Sequence, residues 1–168
     1  MATLSIQYGT ATSQGFTASA ILSDTGLSTG RAGTPFSNAT TLYVDVLLSG
    51  ILKTATGITL NTFLEVWTAA NVGAASELTA NCPTSEAAFS PGVEKSLLQL
   101  AWSFLVTSTA TTAERQYDFG PISIASLYGG TLPQHFNVAV FHNTGVALAS
   151  STATSHEFTF QGIQYTSA

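Results

Sequence analysis

From Thr41 onward the chain runs in short segments where apolar residues recur at every second position, separated by Gly, Ser, Thr and Asn. That period is the mark of a strand with one buried face. The clearest case is Ser96-Leu-Leu-Gln-Leu-Ala-Trp-Ser-Phe-Leu-Val-Thr107. Leu98, Leu100, Trp102, Phe104 and Val106 fall on one face, and Gln99, Ala101 and Ser103 on the other. At ~3.3 Å per residue this run would reach about 40 Å, long for a globular domain, so a bend or bulge is expected within it. Thr41–Leu48, Leu60–Thr68, Tyr117–Ile124, His135–His142, a short piece around Ala147, and Glu157–Tyr165 read as further strands. In the His135 strand Phe136, Val138 and Val140 alternate with Asn137, Ala139 and Phe141. In the last strand Phe158 and Phe160 share a face opposite Gln161. Asn143-Thr-Gly145 supplies a turn, Gly129-Gly130 another, and Gly120-Pro121 predicts a sharp corner.

Residues 1–40 differ. Gly9-Thr-Ala-Thr-Ser-Gln-Gly15 and Ser28-Thr-Gly-Arg-Ala-Gly-Thr-Pro35 are rich in Gly, Ser and Thr, with a short strand predicted between them at Gly15–Leu22. The expectation is an N-terminal arm, or loosely structured first strands, over 1–40 and a β-sandwich domain over 41–168. No segment has the period of a long amphipathic helix. The best helical segment is Thr84-Ser-Glu-Ala-Ala-Phe89, with Thr84 or Ser85 as its cap. It lies in a long connection, Ala69–Glu94, that contains Pro83 and Pro91; connections of this length tend to be functional or contact-making. The predicted fold class is all-β: an antiparallel β-sandwich, jelly-roll-like, with at most one or two short helices.

Composition narrows the function. The chain has 168 residues, enough for one domain with its own core. Only 8% of residues are charged while 45% are hydrophobic; an ordinary soluble domain has about a quarter charged. A surface of hydroxyls and amides costs little to desolvate when partners are found, whereas a buried charge costs several kcal/mol. Such a surface suits extensive protein contact. Four scattered bases, Arg31, Lys53, Lys95 and Arg115, make no nucleic-acid patch or membrane-surface stripe, and no apolar run approaches the ~18 residues of a spanning helix. Met-Ala-Thr-Leu-Ser lacks the basic and apolar regions of a secretory signal, so synthesis in a cytoplasm is expected, with any export by another route. One cysteine, Cys82, excludes an intrachain disulfide.

Candidate chemistry is sparse. His135, His142 and His156 are spaced by seven and fourteen residues, which matches no metal-ligand pattern, and His135 and His142 face opposite ways on one strand. Asp45, Glu65, Asp118 and Glu157 lie in or beside strands, but nothing marks two of them as an acid–base pair. No nucleophile elbow or phosphate loop occurs. Cys82, before Pro83, has no basic neighbour to activate it. Trp67, Trp102, Tyr128 and Tyr165 are candidates for a sugar-stacking platform. Trp102 reads as core, Trp67 shares a face with Phe63 and Glu65 and is left open, and Tyr128 is expected exposed in a turn. No catalytic, cofactor or metal residue is assigned, and the chain is expected not to be an enzyme.

The segment Gly129-Gly-Thr-Leu-Pro-Gln-His-Phe-Asn-Val-Ala-Val-Phe-His-Asn-Thr-Gly-Val-Ala-Leu, followed by Phe158-Thr-Phe-Gln-Gly-Ile-Gln-Tyr165, resembles the C-terminal portion of small virion proteins of tailed bacteriophages. The resemblance covers about Leu127–Tyr165. Phe136-Asn137 stands where a Trp or Tyr followed by Gly is frequent. It implies a capsid cement or decoration protein, a jelly-roll-like unit seated over joints between capsid subunits on the virion surface. The expected partners are the major capsid protein and the chain itself, as a dimer or trimer, with no nucleic acid and no membrane. A tail-tube or neck subunit, and a carbohydrate-binding β-sandwich that recognises a receptor, are the alternatives.

Overall fold

The computed structural model describes residues 4–15, 21–71, 83, 85–90, 92–107, 114–149 and 156–167. Two antiparallel sheets face each other. The first holds β1 (Leu4–Tyr8), β2 (Thr12–Gly15), β5 (Asp45–Thr54), β9 (Arg115–Ser123) and β11 (Glu157–Ser167). The second holds β3 (Gly30–Ala32), β4 (Phe36–Ser37), β6 (Phe63–Asn71), β7 (Ala87–Phe89), β8 (Gln99–Leu105) and β10 (His135–His142). β1 and β2 lie end to end along β11, and β3 and β4 along β10. With each pair taken as one interrupted strand, the first sheet runs β1/β2–β11–β5–β9. The second runs β7–β3/β4–β10–β6–β8. The chain crosses from sheet to sheet at nearly every step, remaining in the second only from β6 to β8. This is the winding of a jelly roll, with β7 added at one edge.

The alternation in the sequence explains the layers. Val46, Leu48 and Leu52 of β5, Leu64 and Val66 of β6, Phe136, Val138 and Val140 of β10, and Phe158 and Phe160 of β11 meet in one core. Rings bridge the sheets: Phe136 to Phe160 at 5.6 Å, Trp102 to Phe119 at 5.1 Å, and Phe104 to Tyr117 at 4.6 Å. β8 therefore lies over β9, and β10 over β11. Gly50 makes room for this packing, because a Cβ there would lie 2.6 Å from the Phe119 ring.

A second, smaller cluster covers the outer face of the second sheet. Phe89, Leu98 and Leu27 pack on Ala32, Ala69, Trp67, Ala139 and Phe141. β10 is consequently buried at every position. That is why its alternation of large apolar and small or polar residues does not divide it into wet and dry faces. Asn137 is held by donating to Gly33 O (2.7 Å) and Pro83 O (2.9 Å).

Several local expectations are corrected. The segment expected as a helix, Thr84–Phe89, contributes β7 instead: Ala87–Phe89 pairs with β3, and the Phe89 ring lies tilted against that of Phe141, centroids 5.9 Å apart. Helix appears where none was expected, as a 3-10 turn at Gly92–Leu97 and as α1 (Ile124–Leu127), capped by Ser123. The strand expected from Ser96 accordingly starts at Gln99. The bulge expected within it exists, between the Val66–Trp102 and Trp67–Leu100 pairs. It turns Leu100 onto the outer face beside Trp67, away from Trp102 and Phe104. Gly120-Pro121, a cis peptide, is not a corner between strands. It lies inside β9, where the register against β5 shifts and Gly120 adopts φ +94°. Cys82 and the predicted Phe16–Ala20 stretch lie outside the described residues.

Candidate contact surface

Most of the chemistry-bearing side chains have structural employment. Asp45 Oδ1 accepts from Ala125 N at 2.9 Å and so supports the first turn of α1. Glu65 Oε2 accepts from Trp67 Nε1 (2.8 Å) and pairs with Lys95 Nζ (2.9 Å). The Lys95 ammonium lies 4.9 Å from the Trp67 ring centroid and 4.4 Å from that of Phe141. Trp67 thus has a cation over it. Tyr128 is half-buried rather than exposed, and its hydroxyl donates to Thr68 Oγ1 at 2.8 Å. Trp102 packs on the core. Of the four candidate aromatics, Tyr165 alone is exposed.

His135 stands apart from the other two histidines. His135 Nε2 meets Ser37 Oγ at 3.2 Å. His142 and His156 are fully buried where β5, β10 and the entry to β11 meet. His142 Nε2 contacts Ile21 O (3.3 Å) and its Nδ1 contacts Thr144 Oγ1 (3.0 Å). His156 Nδ1 accepts from Lys53 N (3.2 Å), so the ring is neutral and its Nε2 donates to Ala149 O (2.8 Å). Burial lowers both pKa values, His142 to about 4. Among the described residues no group of three or more His, Cys, Asp and Glu could hold a metal ion.

One open trough of about 260 Å³ lies on the outer face of the first sheet, lined by Ser49, Ile51, Asp118, Glu157 and Thr159 among others. The register places Asp118 and Glu157 on either side of Ile51. Two strand spacings, roughly 10 Å, separate their backbones. Asp118 is exposed and accepts from Gln116 at 2.8 Å. The trough is shallow and presents two carboxylates to solvent.

The distinctive surface is elsewhere. No charged side chain occurs before Asp24, and this stretch supplies the β1/β2 edge of the first sheet. β11 pairs with β5 only as far as Ile163; from there to Ser167 its strand partner is β1. The result is a two-stranded ribbon extending past β5. Leu4, Ile6 and Tyr8 alternate onto one face, where Ile6 lies opposite Tyr165 and Tyr8 opposite Ile163. These side chains are 66%, 62% and 59% exposed, and Tyr165 is 54% exposed. The other face is polar: Ser5 Oγ lies 2.9 Å from Thr166 Oγ1, and Gln164 Nε2 donates to Gln7 Oε1 at 3.2 Å. Leu42 and Val44 are exposed as well, and Val44 N donates to Ile163 O. Sequence reasoning passed over this stripe. Its signal was the five-residue alternation Leu4-Ser-Ile-Gln-Tyr8, set in a segment whose Gly/Ser/Thr content suggested an arm.

No known protein family, characterised protein or solved structure matches this chain.

Proposed function

We propose that this chain is a non-enzymatic structural protein of a tailed-bacteriophage virion, a cement or decoration protein that binds across joints between capsid subunits. The observation that carries the reading is the uncharged, apolar face of the β1–β11 ribbon, where Leu4, Ile6, Tyr8 and Tyr165 are exposed. Exposed apolar stripes rimmed by hydroxyls and amides mark protein-contact sites. The jelly-roll winding and the 8% charge content support the same reading, because together they give a rigid unit whose surface desolvates at low cost. A protein that binds only the assembled shell stabilises it by mass action, since opening the shell then also requires releasing the bound copies.

The test uses heads of the phage that encodes this chain, prepared without it. Purified full-length protein is added back, and co-sedimentation and heat-induced DNA release are measured. Saturable binding at a fixed number per head, with release moved to higher temperature, is the expected result. Absence of saturable binding rejects the reading. A truncation aimed at the edge must stop before Ile21 and Ala32, because both are fully buried.

A further inference from the structure

We propose that β1 pairs antiparallel with β1 of a second copy, about a two-fold axis passing at Ile6, so that the first sheets of two protomers join into one. An edge strand exposes unpaired N–H and C=O groups, and proteins protect such edges with charges, proline, bulges or short length. Among the described residues, the edges formed by β9, β7 and β8 carry such devices. β9 contains Arg115, Asp118 and Pro121. β7 is three residues long and adjoins the Arg31–Glu86 ion pair (2.6 Å). β8 is paired through a bulge. β1 is regular, uncharged and proline-free over all five residues.

The sequence of β1 also suits its own copy. In an antiparallel pair centred on Ile6, Leu4 of one protomer stands opposite Tyr8 of the other, and Ile6 opposite Ile6. Ser5 stands opposite Gln7 on the reverse face. Apolar residues meet apolar, and polar meet polar, in both halves at once, which is the requirement of an isologous interface. The charge distribution favours the same occupant. Each copy carries a net charge of −5, yet none of it lies on this edge, so two like-charged copies touch here without burying charges against each other. Pairing through the free backbone edge leaves the sheet faces open, so Leu4, Ile6, Tyr8 and Tyr165 of both protomers join into one continuous apolar surface.

The experiment is light scattering and sedimentation equilibrium on the full chain, with Ile6→Asp as the disrupting variant. The native chain is expected to be a dimer. Two aspartates facing each other across the axis should weaken it by at least about 100-fold, leaving a monomer with the native circular dichroism. A second readout does not depend on that variant folding: in a Cys82→Ser background, Ile6→Cys should form a disulfide-linked dimer with diamide far faster than Ser5→Cys, which lies on the reverse face opposite Gln7. A native monomer at about 100 μM, an Ile6→Asp protein that remains dimeric, or equal cross-linking of the two cysteines would each overturn the proposal. Growth into filaments would also overturn it, because a two-fold contact closes. The measurement needs no heads, so its failure leaves the cement reading to its own test.

Discussion

Acid should destabilise this protein before its carboxylates titrate, and the two buried histidines set the size of the effect. His156 accepts a backbone hydrogen bond from Lys53 N at Nδ1, so a proton can enter there only by breaking that bond. Lys53 also disfavours the imidazolium, whereas Glu114 favours it. His142 is fully buried, with His156 as a further unfavourable neighbour for its charge, and burial brings its pKa to about 4. An unfolded histidine has a pKa of about 6.5. A folded-state value below the unfolded one means that the unfolded chain binds the extra proton. The stability is therefore complete above pH 6.5, declines as pH falls from 6.5 towards 4, and levels off below. From His142 alone the loss is about 2 kcal/mol at pH 5 and about 3 kcal/mol at pH 4. At about 2–4 °C per kcal/mol for a domain of this size, the melting point should be about 4–8 °C lower at pH 5 than at pH 7. His156 adds in the same direction. Asp24 adds little in this window: donors from Ser28, Thr29 and Gly26 hold its carboxyl below the ordinary range, and the stability this gives is lost only once pH falls to the unfolded carboxyl value of about 4 and below. The assay is thermal unfolding followed by circular dichroism at half-unit pH steps, on the native chain and on His142→Gln. The variant should be less stable at pH 7 and show a smaller pH dependence. A melting point that does not move between pH 7 and pH 5, or an unchanged slope in the variant, would refute the reasoning.

Three further outcomes follow from the packing. Gly50→Ala should destabilise by about 1–3 kcal/mol in chemical denaturation, reversing the small gain expected from a glycine replacement, because its Cβ would meet Phe119 at 2.6 Å and Phe158 at 2.9 Å. Asn137→Ala should cost about 1–3 kcal/mol in the same measurement, since the carbonyls of Gly33 and Pro83 would lose their donor. Lys95→Ala should remove the cation above Trp67 and the partner of Glu65; the expected signs are a red-shifted tryptophan emission and a loss of about 1 kcal/mol.

The hydrophobic period carries far in this chain because a sandwich imposes one constraint on every core strand. His135–His142 was bounded correctly from alternation alone, and β11 began where expected at Glu157. The errors fall where something other than alternation decides. Ala87–Phe89 has helical composition, but becomes strand because β3 offers an edge and Phe141 offers a ring to pack on. Leu100 fits the apolar face by count, but the bulge opposite β6 changes the parity between it and Trp102. A bulge adds one residue without altering composition, so periodicity alone cannot locate it. Trp67 could not be assigned from its strand because its cover arrives from Lys95, twenty-eight residues further along.

The contact surface was hidden for a related reason. Alternation in Leu4–Tyr8 shows that one face is apolar, not whether anything covers it. An apolar strand face is buried when a second layer lies against it, and the layers are set by sheet order. In the second sheet the connection after β6 returns through β7 and the 3-10 turn, and buries the outer face of β10. In the first sheet the C-terminal half of β11 outruns β5, leaving β1 as its strand partner and Leu4, Ile6, Tyr8 and Tyr165 in solvent. The same kind of sequence pattern is thus core in one sheet and surface in the other. Neither β10 nor β1 contains Asp, Glu, Lys or Arg, so what separates them is the order of the layers; a strand left to face water ordinarily accumulates Lys and Glu, and β1 has neither, which marks its exposed face as a contact surface.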